Sequence, residues 1–236
     1  MAGALLGALL GVLPAPWALR WLALPLQRPG SKMFTCCLLW GTEEGTGKSL
    51  VGKTMGRIYG QNYALLNEKV LSGDGRNEWA QEKQFVLGDD VTGHDNRKNA
   101  ENLKVTITQE KIRIDPKFVP SFWVRDVLNY LFTSNRPDAF FLDDNDRRNF
   151  VWEVSCPPMT PEEVREYFEW LDGPGKSALF GHLLRLDLGG MEASDRAPWT
   201  NAKDAMVEDS QSALGRWCRD LQREPDIVLR DRKSVV

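Results

Sequence analysis

Between Gly41 and Ser49 the chain reads Gly-Thr-Glu-Glu-Gly-Thr-Gly-Lys-Ser, a composition suited to holding a phosphate. Glycines let consecutive backbone N–H groups turn toward one anion, a lysine reaches the outer phosphates, and a hydroxyl beside it holds Mg²⁺. Gly45, Gly47, Lys48 and Ser49 supply these parts, and Gly41, Glu44, Thr46 and Leu50 complete the expected contacts to the nucleotide. The spacing is one residue longer than G-x-x-x-x-G-K-S: Thr42 stands where the first glycine belongs and Gly41 lies one place earlier. A glycine-rich turn with an incidental lysine is the competing reading. The context of a buried strand before the loop and a helix after it favours phosphate binding.

Hydrolysis of a nucleoside triphosphate needs one acidic group for Mg²⁺ and another for the attacking water. Asp89 and Asp90 follow an apolar run and meet both needs, Asp89 at the metal and Asp90 at the water. Two adjacent carboxylates repel, and a divalent cation turns that repulsion into binding energy. Without a cation the pair reads as a solvated turn. Asn135 ends a run of hydrogen-bonding side chains, as a sensor of the outer phosphate would. Arg147 and Arg148 follow an acidic turn, where a guanidinium can either stabilise charge on a transferring phosphoryl group or pair on the surface. From Arg97 to Arg125 seven basic residues oppose three acidic ones, an excess of four on an acidic chain. A solvated hairpin and a nucleic-acid contact explain this excess equally well from the residues alone.

Parts so far apart in sequence need a rigid frame. Continuous apolar runs at 34–40, 85–89 and 128–133 read as strands buried on both faces, with a further strand at 150–154. Helices are expected at 17–26 and at 48–59, the second ending at Gly60. Buried strands separated by helices indicate an α/β fold, a parallel sheet covered on both sides. Residues 105–108 and 111–114 both alternate apolar with polar side chains around Gln109-Glu110, which reads as a β-hairpin. Amphipathic helices follow at 161–171, 176–186 and 200–221. The expected division is an N-terminal helical or linker segment (1–30), an ATPase core (31–156), a helical C-terminal region (157–224) and a frayed tail (225–236).

The 236 residues fit one α/β domain with extensions, and 42% apolar with 27% charged residues is the balance of a globular chain. A net charge of −3 excludes a generally basic surface, so any nucleic-acid contact must be local. Cys36, Cys37, Cys156 and Cys218 form no C-x-x-C pair and read as reduced thiols; with only two histidines, a His/Cys zinc site is not expected. The apolar start resembles a signal-peptide core without its basic beginning, and it is too short and too proline-broken to span a bilayer. A soluble protein without membrane attachment, in the cytoplasm of a host cell if viral, is the expectation.

In this order the motifs resemble those of superfamily 3 helicases, particularly the helicase domains of phage primase-helicases and primase-polymerases. The likeness runs from Trp17 to Leu221. It takes in the segment 21–30 before the first strand, Gly41 to Ser49 as Walker A, and 85–90 as Walker B after a short interval. The segment 102–117, with Lys104, Lys111, Arg113 and Lys117, is similar to the B′ motif, whose hairpin carries lysines into a pore; parvovirus replication proteins are similar there. Asn135 falls at the sensor position of motif C, Arg147-Arg148 at the arginine finger, and 197–206 resembles the phage proteins' C-terminal sequence. The resemblance implies an AAA+-like P-loop NTPase that binds ATP and Mg²⁺ between the subunits of a homo-hexameric ring. It also implies 3′-to-5′ movement on single-stranded DNA and a linked or associated primase or polymerase domain. A ring places copies of Lys111, Arg113 and Lys117 around one strand within a screening length of about 8–10 Å, so an acidic subunit can still grip DNA. A non-catalytic ATP-binding or assembly module is the alternative. A GTPase is disfavoured because Asn-Lys-x-Asp is absent, and a small-molecule kinase because no arginine-rich lid is evident.

Overall fold

Apolar runs bounded by polar turns set the strands. In the computed structural model, which describes residues 15–66, 77–91 and 96–211 together with positions 217 and 221, five of them form one parallel sheet. Helix α1 (Ala15–Gln27) precedes β1 (Cys36–Trp40), all five of whose residues are buried; α2 (Lys48–Tyr59) and β2 (Tyr63–Leu66) follow. Then come β3 (Phe85–Gly88), α3 (Asn96–Thr108), the antiparallel pair β4 (Lys111–Ile114) and β5 (Phe122–Arg125), β6 (Asn129–Ser134) and β7 (Asn149–Glu153). Helices α4 (Pro161–Trp170), α5 (Lys176–Arg185) and α6 (Asn201–Ser210) complete the described elements. The sheet order is β2-β3-β6-β1-β7, so β6 lies between the strand leading into the glycine loop and the strand leading into the paired aspartates.

Both faces are covered, as two-sided apolar strands require. On one face Trp21, Leu24, Met55, Tyr167, Leu179 and Leu183 from α1, α2, α4 and α5 pack against Cys37, Leu39, Phe85, Leu87 and Leu131. On the other, Ile107 of α3, Ile114 of β4 and Met206 of α6 pack against Leu38, Val86, Tyr130, Phe132 and Val151. The C-terminal helices therefore share the core of the sheet. Thr160 caps α4 in a capping box with Glu163, and Pro161 opens the helix.

The expected hairpin is corrected. Residues 105–108 belong to α3, where Ile107 is buried and Val105 points to solvent, while Lys111–Ile114 pairs instead with Phe122–Arg125. Four residues of alternation cannot separate a strand from a helix edge, and Leu103 and Ile107 at i, i+4 lie on one helical face. Cys36 and Cys37 are buried free thiols, and burial pushes both up from the usual thiol range, so they pack as inert apolar groups. Cys156 is a half-buried free thiol, and Cys218 lies outside the described residues, as do the expected tail and the apolar start. Among the described residues no helix is long and apolar enough to cross a membrane.

Two buried ion pairs fix the segments entering the strands. Lys203, wholly buried on α6, places Nζ 2.8 Å from Asp146 Oδ1 and 2.9 Å from the Asp146 carbonyl oxygen; Asp146 in turn accepts from the backbone N–H of Arg148 and Asn149. Lys32 donates to Asp126 at 2.9 Å and to the Thr106 carbonyl at 3.0 Å, tying α3 to the end of β5. Burial lowers the Lys32 pKa from its ordinary value, and Asp126 opposes the shift. Lys203→Met leaves a buried carboxylate uncompensated and is expected to cost about 3–5 kcal/mol in chemical denaturation.

Candidate functional site

In an open parallel sheet, ligands meet the crevice outside the carboxyl ends of the strands. Here the ends of β1, β3 and β6 bring the glycine loop, Asp89-Asp90 and Asn135 into one cleft of about 440 Å³, within the size range of ligand sites. Glu44, Gly45, Thr46, Gly47, Lys48, Ser49 and Leu50 line one side; Asp89, Asp90 and Asn135 line the other. Met159, Val164 and Phe168, from α4 and the turn before it, add an apolar wall.

The loop owes its path to glycine. Gly45 (φ 75°) and Gly47 (φ 88°) adopt left-handed conformations, and Gly47 caps α2 without a side chain, so no side-chain acceptor occupies the start of the helix beside the cleft. Gly41 serves another purpose: a Cβ there would lie 2.6 Å from the Val154 carbonyl oxygen, where the chain leaves β7. Strand packing thus explains why residue 41 is a glycine. Gly41→Ala is expected to cost about 1–3 kcal/mol in thermal unfolding, because the clash is with backbone.

Lys48 is buried, its Nζ donating to the carbonyls of Gly41 (2.9 Å) and Glu43 (2.6 Å) and to Thr46 Oγ1 (3.3 Å). Desolvation lowers its pKa, and the carboxylates of Asp90, Glu44 and Glu43 act against the shift. Across the cleft, Ser49 Oγ (2.5 Å) and Thr133 Oγ1 (2.6 Å) both donate to Asp89 Oδ1, and Lys53 Nζ lies 3.7 Å from Oδ2. Asp90 has a left-handed backbone (φ 54°), its N–H donates to Thr133 Oγ1 at 3.1 Å, and its carboxylate accepts from Asn135 Nδ2 at 3.2 Å. Thr133 therefore holds both aspartates. Its side chain had only a generic polar signal in sequence. Lys53, four residues beyond Ser49 on the same helical face, had a spacing that could have revealed it.

A cation at this point would find two oxygen donors already together, the Ser49 hydroxyl and the Asp89 carboxylate. Among the described residues no cluster of three or more His, Cys, Asp or Glu side chains could hold a metal. A hard cation held by these two donors would take its remaining oxygens from water or phosphate.

Arg147 and Arg148 lie elsewhere. Cys36 N donates to the Arg148 carbonyl, and Asn149 pairs with Cys36 at the start of β1, so both arginines sit at the opposite end of the strands, a strand length of about 13 Å from the glycine loop. They line a second cleft of about 180 Å³ with Phe34, Thr108, Ser194, Asp195 and Arg196. Among the described residues none of the three guanidiniums forms an ion pair, and Arg148 Nε is buried without an acceptor. Arg196 carried no motif and was not anticipated. Lys104 lies on α3, ion-paired with Glu101 and Asp143, whereas Lys111, Arg113 and Lys117 lie on the ribbon and its turn.

A family of unknown function, DUF5906, matches residues 39–148, from the end of β1 to the paired arginines. Two solved apo structures of the C-terminal region of NrS-1 share the fold. One has a TM-score of 0.78 at 21% identity and covers 98% of this chain and 57% of its own; the other has 0.75 at 20%, with 92% and 53% covered. The chain thus spans about half the length of those structures. No curated protein matches it.

Proposed function

We propose that this chain is the ATPase unit of a superfamily 3-type DNA helicase from a phage or viral replication protein, working as a homo-hexameric ring on single-stranded DNA. The observation that carries the reading is the convergence of Ser49 and Thr133 on Asp89, with Asp90 and Asn135 alongside, facing a glycine loop across one cleft. The motif resemblance to phage primase-helicases and the fold shared with the C-terminal region of NrS-1 support a replication role.

In this reading the loop N–H groups and Lys48 bind the phosphates of ATP, and Lys48 leaves the loop carbonyls to do so. Ser49 and Asp89 hold Mg²⁺, which supplies charge neutralisation at the outer phosphates. Asp90 orients and deprotonates the attacking water, kept in place by Asn135 and by the Thr133 contact to its backbone. Arg147 or Arg148 comes from the next subunit, since the opposite end of the strands cannot serve its own cleft; Arg196 lies in the same place and adds positive charge there. The basic residues of the β4–β5 ribbon meet DNA, and a primase or polymerase is linked or associated.

Asp90→Asn separates this reading from a binding module. Nucleotide affinity, followed by a fluorescent ATP analogue, is expected to stay within a few-fold while kcat falls about 10²–10⁴-fold. Unchanged kcat would contradict the role given to Asp90.

A further inference from the structure

The β4–β5 ribbon presents a face that nothing in the fold accounts for. Arg113 stands directly opposite Trp123 and Lys111 directly opposite Arg125, so these four side chains share one face while Ile112, Ile114, Val124 and Phe122 take the other. Ile114 is fully buried in the core; Lys111, Arg113, Trp123 and Arg125 are all exposed, Trp123 by 66%. Like charges directly across a ladder destabilise it, so Lys111 facing Arg125 is a structural cost. Among the described residues none of Lys111, Arg113 and Arg125 has an acidic partner; Arg113 donates only to Ser121 Oγ.

The turn carries a second aromatic. Phe118 is 91% exposed with φ 67°, a left-handed backbone that a bulky residue rarely adopts, and Lys117 Nζ sits 4.7 Å from its ring centre. Its setting is anchored: the Asn77 side chain donates to the Arg113 carbonyl and accepts from Asp115 N–H, and Glu78 accepts from Lys117 N–H. The strain is thus held by a built loop, as at sites of function. From 111 to 125 four cations face one acid, a charge of +3 on a chain of −3. That charge repels a second copy of the same face and suits a polyanion. Exposed aromatic rings among such cations suit a polyanion whose bases are unpaired.

We propose that this face is a base-stacking site for single-stranded nucleic acid: Trp123 and Phe118 take nucleobases, while Lys111, Arg113, Lys117 and Arg125 hold the adjoining phosphates. The proposal rests on the reading above that the ribbon meets a nucleic-acid strand, and adds that it grips the bases as well as the backbone. The test is equilibrium binding of the full chain, without nucleotide, to a labelled oligothymidylate and to an abasic oligomer of equal length. Oligothymidylate is expected to bind about tenfold more tightly. Trp123→Ala and Phe118→Ala should each erode that preference while leaving abasic binding unchanged, and Trp123→Phe should keep most of it. Lys111→Ala and Arg125→Ala should weaken both ligands equally and shallow the salt dependence by about 0.7 per lost phosphate contact. No base preference in the unaltered chain, a preference that survives Trp123→Ala, or a Trp123→Ala chain altered only in native mass would overturn the proposal. A chain that never turns over ATP yet shows the Trp123-dependent preference sinks the motor reading and upholds this one. DNA-stimulated hydrolysis with a preference indifferent to Trp123 does the reverse.

Discussion

In the proposed ring, alanine at the arginine that supplies the neighbouring cleft is expected to lower kcat about 10³–10⁵-fold, the range for a guanidinium that stabilises a transferring phosphoryl group. Arg147 is exposed, whereas Arg148 is half-buried with an orphaned Nε. Each variant is measured separately by steady-state ATPase. Because both residues lie at the opposite end of the strands from Lys48, a finger role requires the loss to be complementable. Mixing an Arg147→Ala or Arg148→Ala chain with a Lys48→Ala chain restores some interfaces that have an intact arginine on one side and an intact loop on the other. Recovery of activity on mixing identifies the finger. No recovery with either arginine contradicts a site shared between subunits. Folding is checked by denaturation, since the backbone of Arg148 is held by Asp146, itself paired with Lys203.

Lys48→Ala should have the next largest effect, a fall of about 10²–10³-fold in kcat together with weakened nucleotide affinity. In the structure its ammonium satisfies three loop oxygens, so its removal also frees the carbonyls of Gly41 and Glu43. Lys48→Arg separates charge from fit: a fixed planar fork cannot occupy the position of a compact ammonium, and activity should remain low although the charge is kept. Restored turnover in Lys48→Arg would show that the loop needs only a positive charge.

The frame of the site was legible because its strands are buried on both faces. The expected strand at 34–40, the glycine turn and the expected helix at 48–59 correspond to β1, the loop and α2, and the acids and Asn135 stand where strand ends must place them. The four-residue β2, Tyr-Ala-Leu-Leu, has no alternation and a composition common in helices, so it left no mark. The ribbon is hidden in the sequence for the complementary reason. Residues 105–108 alternate yet belong to a helix, while Phe122-Trp-Val-Arg125 does not alternate yet forms the strand, its Trp123 exposed. Which face of Phe122–Arg125 is outward depends on Ile114 being taken into the core, a tertiary fact. Charge counting found the basic stretch but could not show that Lys104 is neutralised by Glu101 and Asp143, or that Arg196 joins Arg147 and Arg148 across about fifty residues of sequence.

In the proposed assembly this cleft hydrolyses ATP and responds to DNA. Steady-state ATPase of the chain with and without single-stranded DNA, with native mass recorded in each condition, tests it most directly. Turnover is expected to require Mg²⁺, disappear in Asp89→Asn, rise when single-stranded DNA is added, and accompany a mass above that of one subunit. Nucleotide binding with no turnover in either condition, from an unaltered and folded chain at the mass of a hexamer, would contradict it.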